Sequence, residues 1–173
     1  MDKENQQLEF WLNGPIPNIP DTLQPVAHAL LQSERELEKY TVDFPKELLW
    51  AKVAGRASVG FHMNHLTGVL DRLMTYAKNE SLSEEQFQFL KQEGAFNLET
   101  EVEDLREQFS VKVAEVLAYF ETIPENSLTE IRTVGRKKLP TTVLGLLFHA
   151  AEHSQRHIGQ LLVTISVLQS KVN

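Results

Sequence analysis

Cysteine is absent from this 173-residue chain. Disulfides, zinc–thiolate sites and cysteine nucleophiles are therefore excluded, and any metal must be held by histidine, carboxylate or water. Long apolar runs are also missing. The longest fall far short of the ~20 residues a membrane helix needs, so no membrane partner is expected. Positive charge is scarce: 17 Lys and Arg stand against 24 Asp and Glu, a formal net charge of −7. That balance argues against a nucleic-acid partner, which calls for clustered basic residues. The one basic cluster, Arg136-Lys137-Lys138, reads as a solvated turn or as a rim that attracts an anionic substrate. The opening MDKENQQLEFWLNG is polar and acidic, unlike a signal or transit peptide, which fits a cytoplasmic location.

The rest of the composition is that of an ordinary globular chain, with 42% hydrophobic and 24% charged residues. The length suits one domain, spanning residues 1–173, with no repeat or linker. Prolines cluster early, at Pro15, Pro17, Pro20 and Pro25, and keep GPIPNIP out of helix. Pro25 suits a first turn, with Asp21 or Thr22 as the cap. Val26, Leu30, Leu37 and Tyr40 then mark a helix ending near Lys39–Thr41. Lys46–Lys52 reads as a turn or a short helix. Ser58 opens a second helix to about Lys78, whose Val59, Met63, Leu66, Leu70 and Leu73 alternate steps of four and three. Ser81 carries capping-box spacing and opens a shorter helix through Gln92, ended by Gly94.

A third long helix is expected from Glu99 to about Thr122, with Val102, Leu105, Phe109, Val113, Val116, Leu117 and Phe120 inward. Pro124 ends it. LTEIRTVGRKKLP alternates as a short extended excursion, turning at Gly135. The last helix runs from about Thr141 to Gln169. The expected fold is all-α: an antiparallel four-helix bundle with one long connection carrying the short extra helix.

Histidine is where the chemistry gathers. Five of the six histidines lie in two short helical segments. His149, His153 and His157 sit at i, i+4 and i+8, spread over roughly 80° of one helix flank, with Gln160 in the same sector. On the second helix His65 borders the apolar seam and His62 falls closer to it. Arg72 and Tyr76 follow on the side of His65. Imidazole is the commonest protein ligand for zinc and related ions, and bundle sites are built from residues projecting from facing helices. The spacing does not say which histidines bind. Glu152 directly precedes His153, so no HExxH pattern exists, and it reads as a solvated or supporting group. His28 stands alone and reads as structural.

Three stretches carry a family likeness: SVGFHMNHLTGVLDRL, LLFHAAEHSQRHIGQLL and, just before the latter, VGRKKLPTT. The most specific element is the closing His153, His157, Gly159 and Gln160. Over nearly its whole length the chain resembles the DinB-like superfamily of damage-inducible-type four-helix bundles, with its bacillithiol-transferase-like and mycothiol-dependent isomerase-like branches. The resemblance implies a divalent metal held by His65, His153 and His157, frequent homodimers, and a site that opens to solvent. His62 and His149 are extra to the simplest pattern; each is a candidate fourth ligand, supporting partner or proton carrier.

Three histidines leave a coordination position open, the mark of a catalytic ion. The expected function is a metal-dependent hydrolase or a thiol S-transferase acting on a small molecule, with a thiol as the cosubstrate in the second case. Zinc or nickel is the first choice of metal, with iron and manganese as alternatives. His149 and His62 are candidates for proton transfer, Arg72 and Tyr76 for orienting a substrate. The alternative is a non-catalytic metal-binding protein or a dimeric interaction module.

Overall fold

The structure, a computed structural model, describes residues 8–170. Five helices account for most of it: α1 (Gln24–Thr41), α2 (Val59–Ala77), α3 (Glu84–Gln92), α4 (Val102–Phe120) and α5 (Val143–Gln169). Two short strands, β1 (Ile131–Val134) and β2 (Leu139–Thr142), precede α5. The fold is mostly helical, but it is not purely α as expected. The extended excursion closes into an antiparallel hairpin pairing Ile131 with Thr142 and Val134 with Leu139. Gly135 turns the chain at φ +68°, a conformation open to glycine at little cost. Pro140 is tolerated opposite Thr133 because both strands of a two-stranded sheet are edges.

Local chemistry explains the helix starts. The Ser58 hydroxyl accepts from the Phe61 amide and caps α2; the Thr142 hydroxyl accepts from the Gly145 amide and caps α5. Two caps differ from expectation. Asp21 and Thr22 form a 3-10 turn and cap nothing, and Leu23 precedes α1 without a side-chain cap. The reciprocal cap of α3 is Ser83 with Gln86, two residues beyond Ser81. The α4 helix begins at Val102 instead of Glu99.

The four long helices close a ring in which α1 and α2 each pack against both α4 and α5. Phe109, Phe120, Leu30, Met63, Leu147 and Leu161 are fully buried at its centre. Side-chain pairs fix the directions. Asp71 meets Lys112, and Lys78 lies over the Tyr119 ring, so α2 and α4 run parallel. Glu34 meets Ser110 and Thr22 meets Glu125, so α1 runs against α4. His62 meets His157 and His65 meets His153, so α2 runs against α5. It follows that α1 and α5 share a direction.

The expectation of antiparallel neighbours throughout is therefore corrected at two of the four ring contacts. The cause is the connection 78–101. It carries α3 back along α2: Gln86 bonds Asp71 and Thr75, and Glu93 bonds His65. The chain returns to the starting end before α4 sets out. Gly68 makes the approach possible. A Cβ there would lie 2.7 Å from both an Arg72 nitrogen and the Phe89 ring. Among the described residues no helix is long and apolar enough to cross a membrane.

Candidate metal centre

Because α2 and α5 run in opposite directions, their histidines meet in pairs. His65 Nε2 lies 2.8 Å from His153 Nε2, and His62 Nδ1 lies 2.9 Å from His157 Nδ1. The His65 and His157 rings are 4.5 Å apart, as are those of His153 and His157. His65, His153 and His157 each offer one ligand atom, all within 4.8 Å of one another. This group could hold one metal ion. All three rings are partly buried. Phe61 stacks on His65 at 5.3 Å, with the planes 11° apart, and so limits that ring's rotation.

Glu93, delivered by the end of α3, is the residue that sequence reasoning missed. Its carboxylate is 3% exposed and accepts from His65 Nδ1 at 2.7 Å and from Arg72 at 2.7 Å. A carboxylate only accepts, so Nδ1 of His65 is the donor to Glu93 and Nε2 is the ring nitrogen that faces the cluster. Metal-binding histidines are commonly oriented by such a carboxylate. No spacing rule links Glu93 to a histidine 28 positions earlier; the only hint was an acidic residue just before the helix-ending Gly94.

Electrostatics favours neutral rings. Burial holds His62 down to about 4, helped by the nearby His65. Burial, then His65 and His149, hold His153 down to about 4. Burial, then His65 and His153, hold His157 down to about 3. At neutral pH these three imidazoles therefore keep a lone pair, the form a metal requires. The 2.8 Å nitrogen separation is shorter than the roughly 3.3 Å that tetrahedral zinc imposes on two ligands at ~2.0 Å, and a small ring rotation covers the difference. The donor set fits a borderline divalent ion.

The remaining candidates divide. His62 is buried behind His157 and beside the Phe61 ring. His149 is exposed and pairs with Glu152 at 2.7 Å. Arg72 is buried and spent on Glu93, which removes it as a contact for substrate. Tyr76 packs against the core, about 16 Å along α2 from His65 at 1.5 Å per residue. The structure brings neither Arg72 nor Tyr76 to the cluster's mouth. His28 bonds the Gly14 carbonyl, and Gln160 is exposed on α5.

Residues 29–161 match the family model of the DinB superfamily. The chain belongs to the DinB superfamily. The match contains α2, α3, α4 and most of α5, and so every histidine of the cluster. The solved crystal structure of a Streptococcus pneumoniae protein, a structural-genomics target, superposes with a TM-score of 0.64 at 9% identity. The superposition covers 87% of this chain and 91% of that one, a likeness of fold alone. No curated protein matches the sequence.

Proposed function

We propose that this DinB-superfamily chain is a metal-dependent enzyme, a hydrolase or a thiol S-transferase, with His65, His153 and His157 as the metal ligands. The observation that carries the reading is the convergence of three imidazole donors from two facing helices, with Glu93 fixing which His65 nitrogen points inward. Three protein ligands leave room for water or substrate. When bound, a zinc-like ion supplies Lewis acidity, lowering the pKa of a water toward ~7 or holding a thiolate. Zinc and nickel suit the three nitrogens best, with iron and manganese as alternatives.

The chain's own residues would do the rest. Glu93 and Arg72 hold the His65 proton on Nδ1. His62, facing His157 Nδ1, gives or takes a proton at that nitrogen. His149, exposed beside His153, exchanges a proton with a substrate. The same reading takes the molecule as a DinB-type four-helix bundle, supported by the closed ring of long helices. It takes the chain as a cytoplasmic homodimer. The exposed Phe148 and Val163 on the outer face of α5 support the dimer.

The test is turnover. Metal-loaded protein is assayed against esters, amides and thiol-plus-electrophile pairs. Activity on one class, abolished in His65→Ala and in chelator-treated protein, is expected. Turnover that survives both treatments would overturn the proposal.

A further inference from the structure

A second donor group sits at the outer end of the cluster. His149, Glu152 and His153 each offer one ligand atom, again all within 4.8 Å of one another. His153 belongs to both groups. It turns Nε2 toward His65 and Nδ1 toward Arg156, 3.2 Å away. The Arg156 guanidinium donates to both carboxylate oxygens of Glu152, at 2.7 and 2.9 Å. His149 Nδ1 lies 2.7 Å from the same carboxylate. A cation therefore already rests on this donor set, supplied by the protein itself.

Exposure grades along the path. The side chain is 16% exposed at His65, 35% at Glu152, 46% at His149 and 51% at Arg156. Arg156 has solvent to swing into, and its pairing with Glu152 is a surface contact that holds it only weakly.

Arg156 also sets the proton on His153. A guanidinium only donates, so Nδ1 of His153 presents its lone pair and the proton lies on Nε2. For His153 to offer Nε2 to an ion, that proton must move to Nδ1. Arg156 must first leave, and the Glu152 carboxylate it releases is the acceptor beside it.

We infer that His149, Glu152 and His153 form an outer divalent-cation site, closed by Arg156, through which the metal reaches the inner triad by way of the shared His153. The inference rests on the reading that His65, His153 and His157 hold a metal. Cation capture at the exposed donors precedes the exchange, and the vacated guanidinium moves to solvent.

The test uses the full chain stripped by chelator, with Co²⁺ alone as the probe and its visible absorption as the signal. Rates come from stopped-flow mixing and affinities from equilibrium titration. Losing the outer donors in the His149→Ala/Glu152→Gln variant is expected to slow association by about tenfold or more, within the range over which local charge and ligand capture alter on-rates. The dissociation constant should stay within about threefold, because the amide of E152Q still accepts from Nδ1–H. Arg156→Ala should associate faster than wild type. Glu107→Gln makes the same charge change on the exposed surface of α4 and should leave the rate within about twofold of wild type. A double variant that loads at the wild-type rate, or an Arg156→Ala that loads more slowly, overturns the entry route while leaving the inner site intact. A wild-type chain that takes up no cobalt overturns the inner site as well.

Discussion

Glu93 joins two functions in one carboxylate, and removing it separates them. In Glu93→Ala, Arg72 stays 8% exposed with its partner gone. Breaking a buried pair in this way costs about 3–5 kcal/mol, because the remaining charge is uncompensated. The lost His65 bond adds about 1 kcal/mol. That sum is a large share of a typical 5–15 kcal/mol stability. The Arg72→Met/Glu93→Leu variant removes both charges at similar volume, and its cost should fall to about 1–2 kcal/mol. Zinc affinity should behave differently. Both variants leave His65 without the carboxylate that fixes its Nδ1, and losing such an orienting partner commonly weakens a metal site 10–100-fold. Urea unfolding of the metal-free chain reads the first quantity, and competition against a zinc chelator reads the second. Stability should recover in the double variant and affinity should not. Glu93→Ala unfolding within 1 kcal/mol of wild type, or either variant binding zinc at wild-type strength, would refute it.

Three further outcomes follow from the same geometry. Gly68→Ala places a methyl 2.7 Å from Arg72 and Phe89; it should destabilise the fold by about 1–3 kcal/mol and weaken zinc binding, both measurable in the assays above. The metal-free protein should lose stability as pH falls from about 6.5 toward 4. His62, His153 and His157 have folded values of about 4, 4 and 3, below the ordinary imidazole value, so the unfolded chain takes up protons first and stability rises with pH across that window. Each imidazole contributes a slope of at most about 1.4 kcal/mol per pH unit, reduced by solvent at the partly buried rings of His153 and His157; equal urea midpoints at pH 7 and pH 5.5 would contradict the depressed values. Thr142→Ala removes the α5 cap and should cost about 1 kcal/mol by thermal or urea unfolding; no measurable change would contradict the capping role.

Helix existence was legible because apolar spacing and capping residues act locally. Ser58 and the seam through Met63, Leu66 and Leu70 located α2 within a residue of its true start. The α3 cap was misplaced by two residues because Ser81 and Ser83 both precede acidic and amide residues at suitable spacing, and only the contact of Gln86 with Asp71 and Thr75 decides between them. Helix direction was not legible. It depends on the path of residues 78–101, and that path is set by Gly68 letting α3 lie close on α2. The inward histidines of α5 could be seen in their four-residue spacing. Arg72 was read as free because its partner Glu93 is distant in sequence; the angular sector it shares with His65 reflected service to the same carboxylate.

Binding of one divalent ion by His65, His153 and His157 is read by metal analysis of the purified, unsupplemented chain, joined to X-ray absorption at the metal edge. Close to one ion per chain, three imidazole nitrogens at ~2.0–2.2 Å, and loss of the ion in His153→Ala are expected. A chain without stoichiometric metal, whose affinity for added zinc is unchanged by His153→Ala, would contradict it.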